Sequence, residues 1–229
     1  MDFKQIKGRG LWVPKSSCGI TMFPSDHGII SAAAATAAAA SVTFTASAVD
    51  ATNATSYTFS GVSIGTAAAG RQIVVCAAFR EGTDITLGTV TVGGNNATSI
   101  VGPVGDGSLS QMFSLTLAAG TTADIVVPLS AGTAGSCGIG VFALYDTATT
   151  VYNSATGNDL DPMTANINIP ANGVCIAFGI DISETTHTWT NLTERYDEVV
   201  EGIATHSGAS DAFEAAQSAL AITCDAAAA

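Results

Sequence analysis

The chain is 229 residues long, carries a net charge of −12 and contains only 11% charged residues. A chain of this length buries roughly 70% of its unfolded surface, so folding requires neither a disulfide nor a metal ion. The excess of acids, which lies after residue 40, predicts that this part of the chain repels nucleic acid and anionic membranes. No apolar run reaches the roughly 20 residues of a membrane span. The 24 glycines and the abundance of Ala, Thr, Ser and Val are typical of an all-β protein with many turns.

The N-terminal segment is electrostatically distinct from the rest of the chain. Four of the seven lysines and arginines lie in the first fifteen residues, whereas residues 41–229 hold three arginines against 17 acids. Residues 1–28 show neither the helix nor the strand period. The alanine-rich part, 29–40, has high helix propensity and is either a short helix or an extended linker. We therefore predict an N-terminal docking arm at 1–40 and one domain at 41–229. The arm residues predicted to bind a partner are Lys4, Lys7, Arg9, Trp12, Lys15 and Phe23.

From Ser41 onward the dominant period is two, which is typical of half-buried strands. Val42, Phe44 and Ala46 alternate with polar residues, and the pattern continues through about a dozen strands separated by turn residues. For 212–224 we favour a strand over a helix, because apolar residues alternate near its end.

Three apolar runs are predicted to be the inner strands of the fold. They are Arg71–Arg80, Cys137–Asp146 and Gly173–Ile182, and each is apolar on both faces, which indicates a strand covered on both sides. Strands at this spacing, with turn chemistry between them, predict an all-β protein with a single β-sandwich (jelly-roll-like) domain of two stacked sheets.

The five cysteines divide into two groups. Those at 76, 137 and 175 lie inside the predicted inner strands and are expected to be buried and reduced. The chain has no Cys-x-x-Cys and no Cys/His metal spacing. Because the count is odd, Cys18 and Cys224, near the two termini, are candidates for a disulfide to a neighbouring subunit.

The sequence predicts no catalytic residue, no metal site and no cofactor. The three histidines are far apart and are expected at a surface or interface, and no serine lies in a nucleophile elbow. Asp181 and Glu184, or the acidic cluster 194–201, could supply paired carboxylates for glycosidic chemistry, but the cluster is interpreted as a solvated rim. The segment 158–161 lacks the features of an EF-hand. One candidate ligand surface remains, a sugar-stacking platform, although an aromatic pair packed beneath a loop is the favoured interpretation: His187, Trp189 and Tyr196.

Five stretches occur in an order that resembles a known module: Ser56–Ser60, Arg71–Val75, Thr89–Thr98, Cys137–Tyr145 and Thr188–Asp197. Over residues 41–224 this order is similar to a β-sandwich module of virion proteins in tailed bacteriophages. The resemblance implies a capsid decoration protein or a part of a tail or fibre, and it brings no catalytic residue. The segment 1–40 departs from the module.

The predicted function is a non-enzymatic structural virion protein. Its most favoured form is a capsid decoration or cement subunit that docks on other virion proteins through its arm, as a homo-oligomer with a trimer favoured. The charged first twenty residues, with Pro14, do not resemble a signal peptide, so we expect assembly in the host bacterial cytoplasm. The alternative is a receptor- or carbohydrate-binding module of a tail fibre or a neck or collar appendage. An enzyme is the least favoured class.

Overall fold

The computed structural model describes residues 27–34, 39–80, 85–104, 108–157, 162–181, 186–200 and 204–226. Within these ranges every regular element is a β-strand, which confirms the predicted all-β class. Over the same ranges there is accordingly no helix long and apolar enough to cross a membrane.

The strands are numbered in chain order. Their bounds are β1 His27–Ala34, β2 Ser41–Asp50, β3 Ser56–Ser63, β4 Gln72–Arg80, β5 Thr86–Leu87, β6 Thr91–Val92, β7 Asn95–Asn96, β8 Thr98–Val104, β9 Ser108–Thr116, β10 Thr122–Ala131, β11 Ser136–Tyr145, β12 Thr147–Gly157, β13 Met163–Ile169, β14 Gly173–Asp181, β15 His187–Thr190, β16 Thr193–Val200, β17 Ala204–Phe213 and β18 Gln217–Ala226.

The strands form four antiparallel sheets. The first outer sheet has the order β3-β10-β6-β7, with β5 beside β10, and the first inner sheet has the order β2-β11-β4-β9-β8. The second inner sheet has the order β12-β1-β14-β17-β16, and the second outer sheet has the order β13-β18-β15. The sandwich class is therefore confirmed, but the layers number four where the sequence predicts two.

Three hydrophobic cores fill the spaces between the four layers. The first core lies between the first outer and first inner sheets, the second between the two inner sheets, and the third between the second inner and second outer sheets. Strand β11 shows how one strand serves two cores: Ile139 and Val141 enter the first core, and Phe142 and Leu144 enter the second. This is the period of two expected of a strand that is covered on both faces.

The three predicted inner strands are confirmed. Every residue of β4, and all but the last residue of β11 and of β14, is buried. Each of these strands lies inside one of the two inner sheets, and each inner sheet is covered by another sheet on both of its faces. The apolar runs in the sequence are therefore the direct consequence of the four-layer arrangement.

The two halves of the fold repeat the same topology. Residues 41–145 form the first sandwich, and residues 147–226 together with β1 form the second. The inner-sheet orders correspond strand for strand, with β12, β1, β14, β17 and β16 in the places of β2, β11, β4, β9 and β8. In the outer sheets β13, β18 and β15 take the places of β3, β10 and β6. The chain order also matches, except that the counterpart of β11 precedes the repeat and does not follow β18.

Strand β1 corrects the predicted domain boundary at residue 40. Residues 27–34, predicted as arm and as helix or linker, form a strand that pairs antiparallel with β12 on one side and with β14 on the other. Ile30 is buried in the second core. Helix propensity is a weak preference that two backbone ladders outweigh. The predicted docking arm therefore narrows to residues 1–26, which lie outside the described residues.

Candidate functional site

The predicted ligand surface is buried. Trp189 lies in the third core and Tyr196 in the second, and each is 7% exposed. The indole Nε1 of Trp189 donates to Ser207 Oγ at 2.7 Å. The two aromatic rings thus lie in different cores, on opposite sides of the second inner sheet. The burial of both rings agrees with the favoured interpretation of packed aromatic residues and contradicts the alternative of an exposed platform, because in a four-layer fold both faces of this sheet are covered.

His187 is held in place by a carboxylate. Its backbone N–H donates to Asp197 Oδ2 at 2.8 Å, and its Nδ1 lies 3.0 Å from Asp197 Oδ1. The imidazole is almost completely buried, so it does not form the surface that the sequence predicts. The contact between His187 and Asp197 joins the start of β15 in the second outer sheet to β16 in the second inner sheet. It therefore connects two layers of the fold.

A group of close contacts, which we call the glycine seam, joins the two inner sheets. It consists of Gly138 and Gly140 on β11, Tyr196 on β16, and His206 and Gly208 on β17. A methyl group on Gly140 would overlap the Oη and Cζ atoms of Tyr196, and one on Gly138 would lie 2.5 Å from Nε2 of His206. The rings of Tyr196 and His206 meet edge to face, with centroids 5.1 Å apart. The sheets approach this closely only because the facing positions carry no side chain.

Aromatic stacking continues from the glycine seam into the second core. The ring of Tyr196 stacks on Phe44, with centroids 5.1 Å apart and an interplanar angle of 20°. Phe142 packs against both of these rings at a tilt. At the same interface the hydroxyl of Ser47 donates a hydrogen bond to Glu198 Oε1 at 2.7 Å. The two inner sheets are therefore joined by aromatic packing and by a polar contact.

The polar atoms of the glycine seam are desolvated. Neither ring nitrogen of His206, nor the Tyr196 hydroxyl, has a hydrogen-bond partner among the described residues. Burial lowers the pKa of His206 to about 3, against the opposing effect of Asp197 and with a small contribution from His187. Burial also raises the pKa of Tyr196, with further contributions from Cys76, Glu198 and Asp197. Both groups are thus kept neutral at physiological pH.

We expect His206 to make the fold sensitive to acid. Because its pKa is lowered on folding, only the unfolded state takes up this proton between about pH 6.5 and pH 3, so stability falls as pH falls through that window. The full effect is roughly 5 kcal/mol. His206→Leu should show a smaller loss in the free energy of unfolding between pH 7 and pH 4, measured by urea denaturation. Equal losses in both proteins would contradict this assignment.

Two further acidic side chains lie on the neighbouring strands β16 and β17. Burial raises the pKa of Glu194, with a further increase from Asp197 and an opposing effect of His187. Asp211 accepts bonds from the backbone and hydroxyl of Thr193 and forms an ion pair with Arg195 at 3.3 Å. Of the carboxylates predicted as a solvated rim, Asp197 binds His187 and Glu198 accepts a hydrogen bond from Ser47, so part of the rim is engaged in the fold. Of the predicted pair Asp181 and Glu184, Glu184 lies outside the described residues.

The predictions for the cysteines are partly confirmed. Those at 76, 137 and 175 are buried and carry no disulfide, and burial raises the pKa of each thiol, which makes them poor nucleophiles. Cys224 is 2% exposed, in the third core, so the closed fold does not present it to a neighbouring subunit. Its predicted partner Cys18 and the six arm residues predicted to bind a partner lie outside the described residues: Lys4, Lys7, Arg9, Trp12, Lys15 and Phe23.

Comparisons with known proteins give no relative for this chain. Its sequence matches no protein-family model and no curated protein, and its fold matches no solved structure. In the part of the chain that the structure describes, there is also no group of three or more His, Cys, Asp or Glu side chains that could hold a metal ion.

The sequence analysis missed the residues of β17 that build the glycine seam. The buried part of this strand consists of Ala, Thr, His, Ser and Gly, which lack an apolar signal. The only signal in the sequence is the pair of glycines on β11, which indicates a close approach of another element but not its identity.

Proposed function

We propose that this chain is a non-enzymatic structural subunit of a virion, in the manner of a capsid decoration or cement protein, and that residues 1–26 dock it on a neighbouring virion protein. The single observation that carries the proposal is the position of β1. The basic segment leads directly into a strand that is paired on both sides inside a buried sheet. A partner that binds the segment is thereby attached to the rigid centre of the protein.

Charge supports the same assignment. The arm holds four of the seven cations, and the rest of the chain is strongly acidic. An acidic neighbour would attract the arm and repel the body, which orients the subunit with its sandwiches away from the contact. An extended segment also buries a large area per residue, which suits a small body that must be held firmly.

In the described fold, the side chains that could have served a chemical function make structural contacts, which supports a structural role. His187 and Asp197 connect two layers, Tyr196 and His206 fill the space over glycines, and Trp189 is hydrogen-bonded within a core. The receptor- or carbohydrate-binding alternative places its contact surface at 183–196, and the burial of His187, Trp189 and Tyr196 in this segment disfavours it.

Particle binding tests the proposal. The tagged full chain and a tagged chain lacking residues 1–26 are each produced in host cells in which virus particles are assembling. The particles are then purified on a density gradient. We expect the full chain to co-sediment with particles and the truncated chain to remain at the top, although both give the same thermal unfolding. A matched control replaces the four arm cations with serine and should weaken binding more strongly at low salt.

The two parts of the proposal fail in different ways. If the truncated chain binds particles as well as the full chain does, docking by the arm is wrong. If neither chain is found in particles, the virion role is wrong.

A further inference from the structure

The strand between β12 and β14 comes from a different part of the chain than its counterpart in the first sandwich. In the first sandwich β11 follows β10 after four residues. In the second sandwich the equivalent strand, β1, precedes the whole fold, while β12 to β18 form one continuous stretch. The second sandwich of residues 147–226 is therefore complete only when β1 enters this slot.

Strand β1 pairs through its backbone with a neighbouring strand on each side. Six of its residues are in register with β14, from His27 opposite Gly179 to Ala32 opposite Val174, and the other edge pairs with β12. Its sequence after His27 consists of Gly, Ile, Ser and Ala, and Ile30 enters the second core. Backbone ladders do not depend on which copy of the chain supplies the strand.

A single covalent connection joins β1 to the rest of the described fold. It runs from Ala34, in register with Thr147, to Ser41, in register with Tyr145. These partners flank Asp146, so the connection starts and ends beside the corner where β11 passes into β12. Seven Cα steps reach at most roughly 25 Å. The register of β1 with β12 shifts twice, between Ser31 and Ala34, at the end next to this connection.

We propose that β1 is an exchangeable strand and that the slot between β12 and β14 accepts β1 from a second copy of this chain. The exchanged pair re-forms the β1 contacts of the single copy, so protein concentration shifts the balance between the two forms. The short connection holds the two copies corner to corner. The inference does not depend on the virion role, because it concerns only copies of this chain.

A disulfide that can form only between copies tests the exchange. Ser31 is in register with Cys175 on β14. A donor chain carries Ser31→Cys and Cys175→Ser, and an acceptor chain keeps Ser31 and Cys175; Cys18 is serine in both. The two chains are mixed in urea, refolded together at increasing concentration and oxidised with glutathione disulfide. Non-reducing gels measure the covalent pair, and mass spectrometry locates the bond between position 31 and Cys175.

We expect a covalent donor–acceptor pair whose yield rises with concentration, and none when the acceptor carries Cys175→Ser. A chain with Ser31→Cys alone, refolded at low concentration, shows whether the register permits the bond within one copy. If that chain forms its internal bond and the mixture gives no pair at any concentration, the proposal is overturned. Light scattering of the unmodified protein, refolded at the same concentrations, gives an independent result. Monomer throughout overturns the proposal, and a dimer that grows with concentration supports it.

Discussion

Gly140→Ala is expected to lower the free energy of unfolding by about 3 kcal/mol or more, at the upper end of the range for an overpacked core. The added methyl group would overlap the Oη, Cζ and Cε1 atoms of Tyr196. The ring cannot move away easily, because Phe44 stacks on it and its Cε1 is in close contact with Gly208. Urea denaturation at pH 7 measures the loss as a lower midpoint at an unchanged m-value.

A double-mutant cycle isolates the cause. In a Tyr196→Ala background the space over Gly140 is open, so Gly140→Ala should cost less than half as much as in the unmodified protein. A similar cost in both backgrounds would mean that the glycine is needed for its backbone and that its contact with the ring is unimportant.

Deleting residues 1–34 is expected to destabilise the protein by about 5 kcal/mol or more, whereas deleting residues 1–26 should leave stability within about 0.5 kcal/mol. The longer deletion removes β1 and leaves the facing edges of β12 and β14 without their ladder partners. It also removes Ile30 from the second core. Differential scanning calorimetry compares the two deletions with the full chain.

The outcome of these deletions separates two roles of the N-terminal region. If the chain without residues 1–34 unfolds at the same temperature as the full chain, β1 is dispensable and the second sandwich closes without it. If the chain without residues 1–26 is already destabilised, the predicted arm takes part in the fold of the body.

The inner strands could be predicted from the sequence because their burial is recorded in their own residues. Strands β4, β11 and β14 are apolar on both faces, a pattern that only coverage on both sides explains. The C-terminal strand was predictable for a similar reason, since its apolar residues alternate. In these places the local pattern and the tertiary environment agree.

The other features depend on residues distant in the chain. The alanines of β1 are compatible with helix, linker or strand, and the pairing that decides among them involves β12 and β14, more than 100 residues later. Strand β17 is buried by its neighbours although its residues are small and polar. Arg71 is completely buried and donates to the carbonyls of Gly65, Leu117, Ala119 and Gly120, an arrangement that no local pattern indicates.

The candidate ligand surface illustrates the same limit. The positions of His187, Trp189 and Tyr196 within one short stretch suggested a shared platform. Only the stacking order of the sheets determines that Trp189 and Tyr196 enter different cores. Trp189 belongs to the second outer sheet and Tyr196 to the second inner sheet. In a two-layer sandwich the face that carries Tyr196 would have been open, whereas in the four-layer fold the first inner sheet covers it.

The double pairing of β1 has a mechanical consequence for a subunit tethered by its N-terminus. A pull on residues 1–26 is transmitted along the axis of β1, while its backbone hydrogen bonds to β12 and β14 run across that axis. The bonds on both edges are therefore strained together in shear, and they do not open one after another as in a peeled edge strand. Resistance to such a force is set by the unfolding rate, so the tether is strongest under brief impulses.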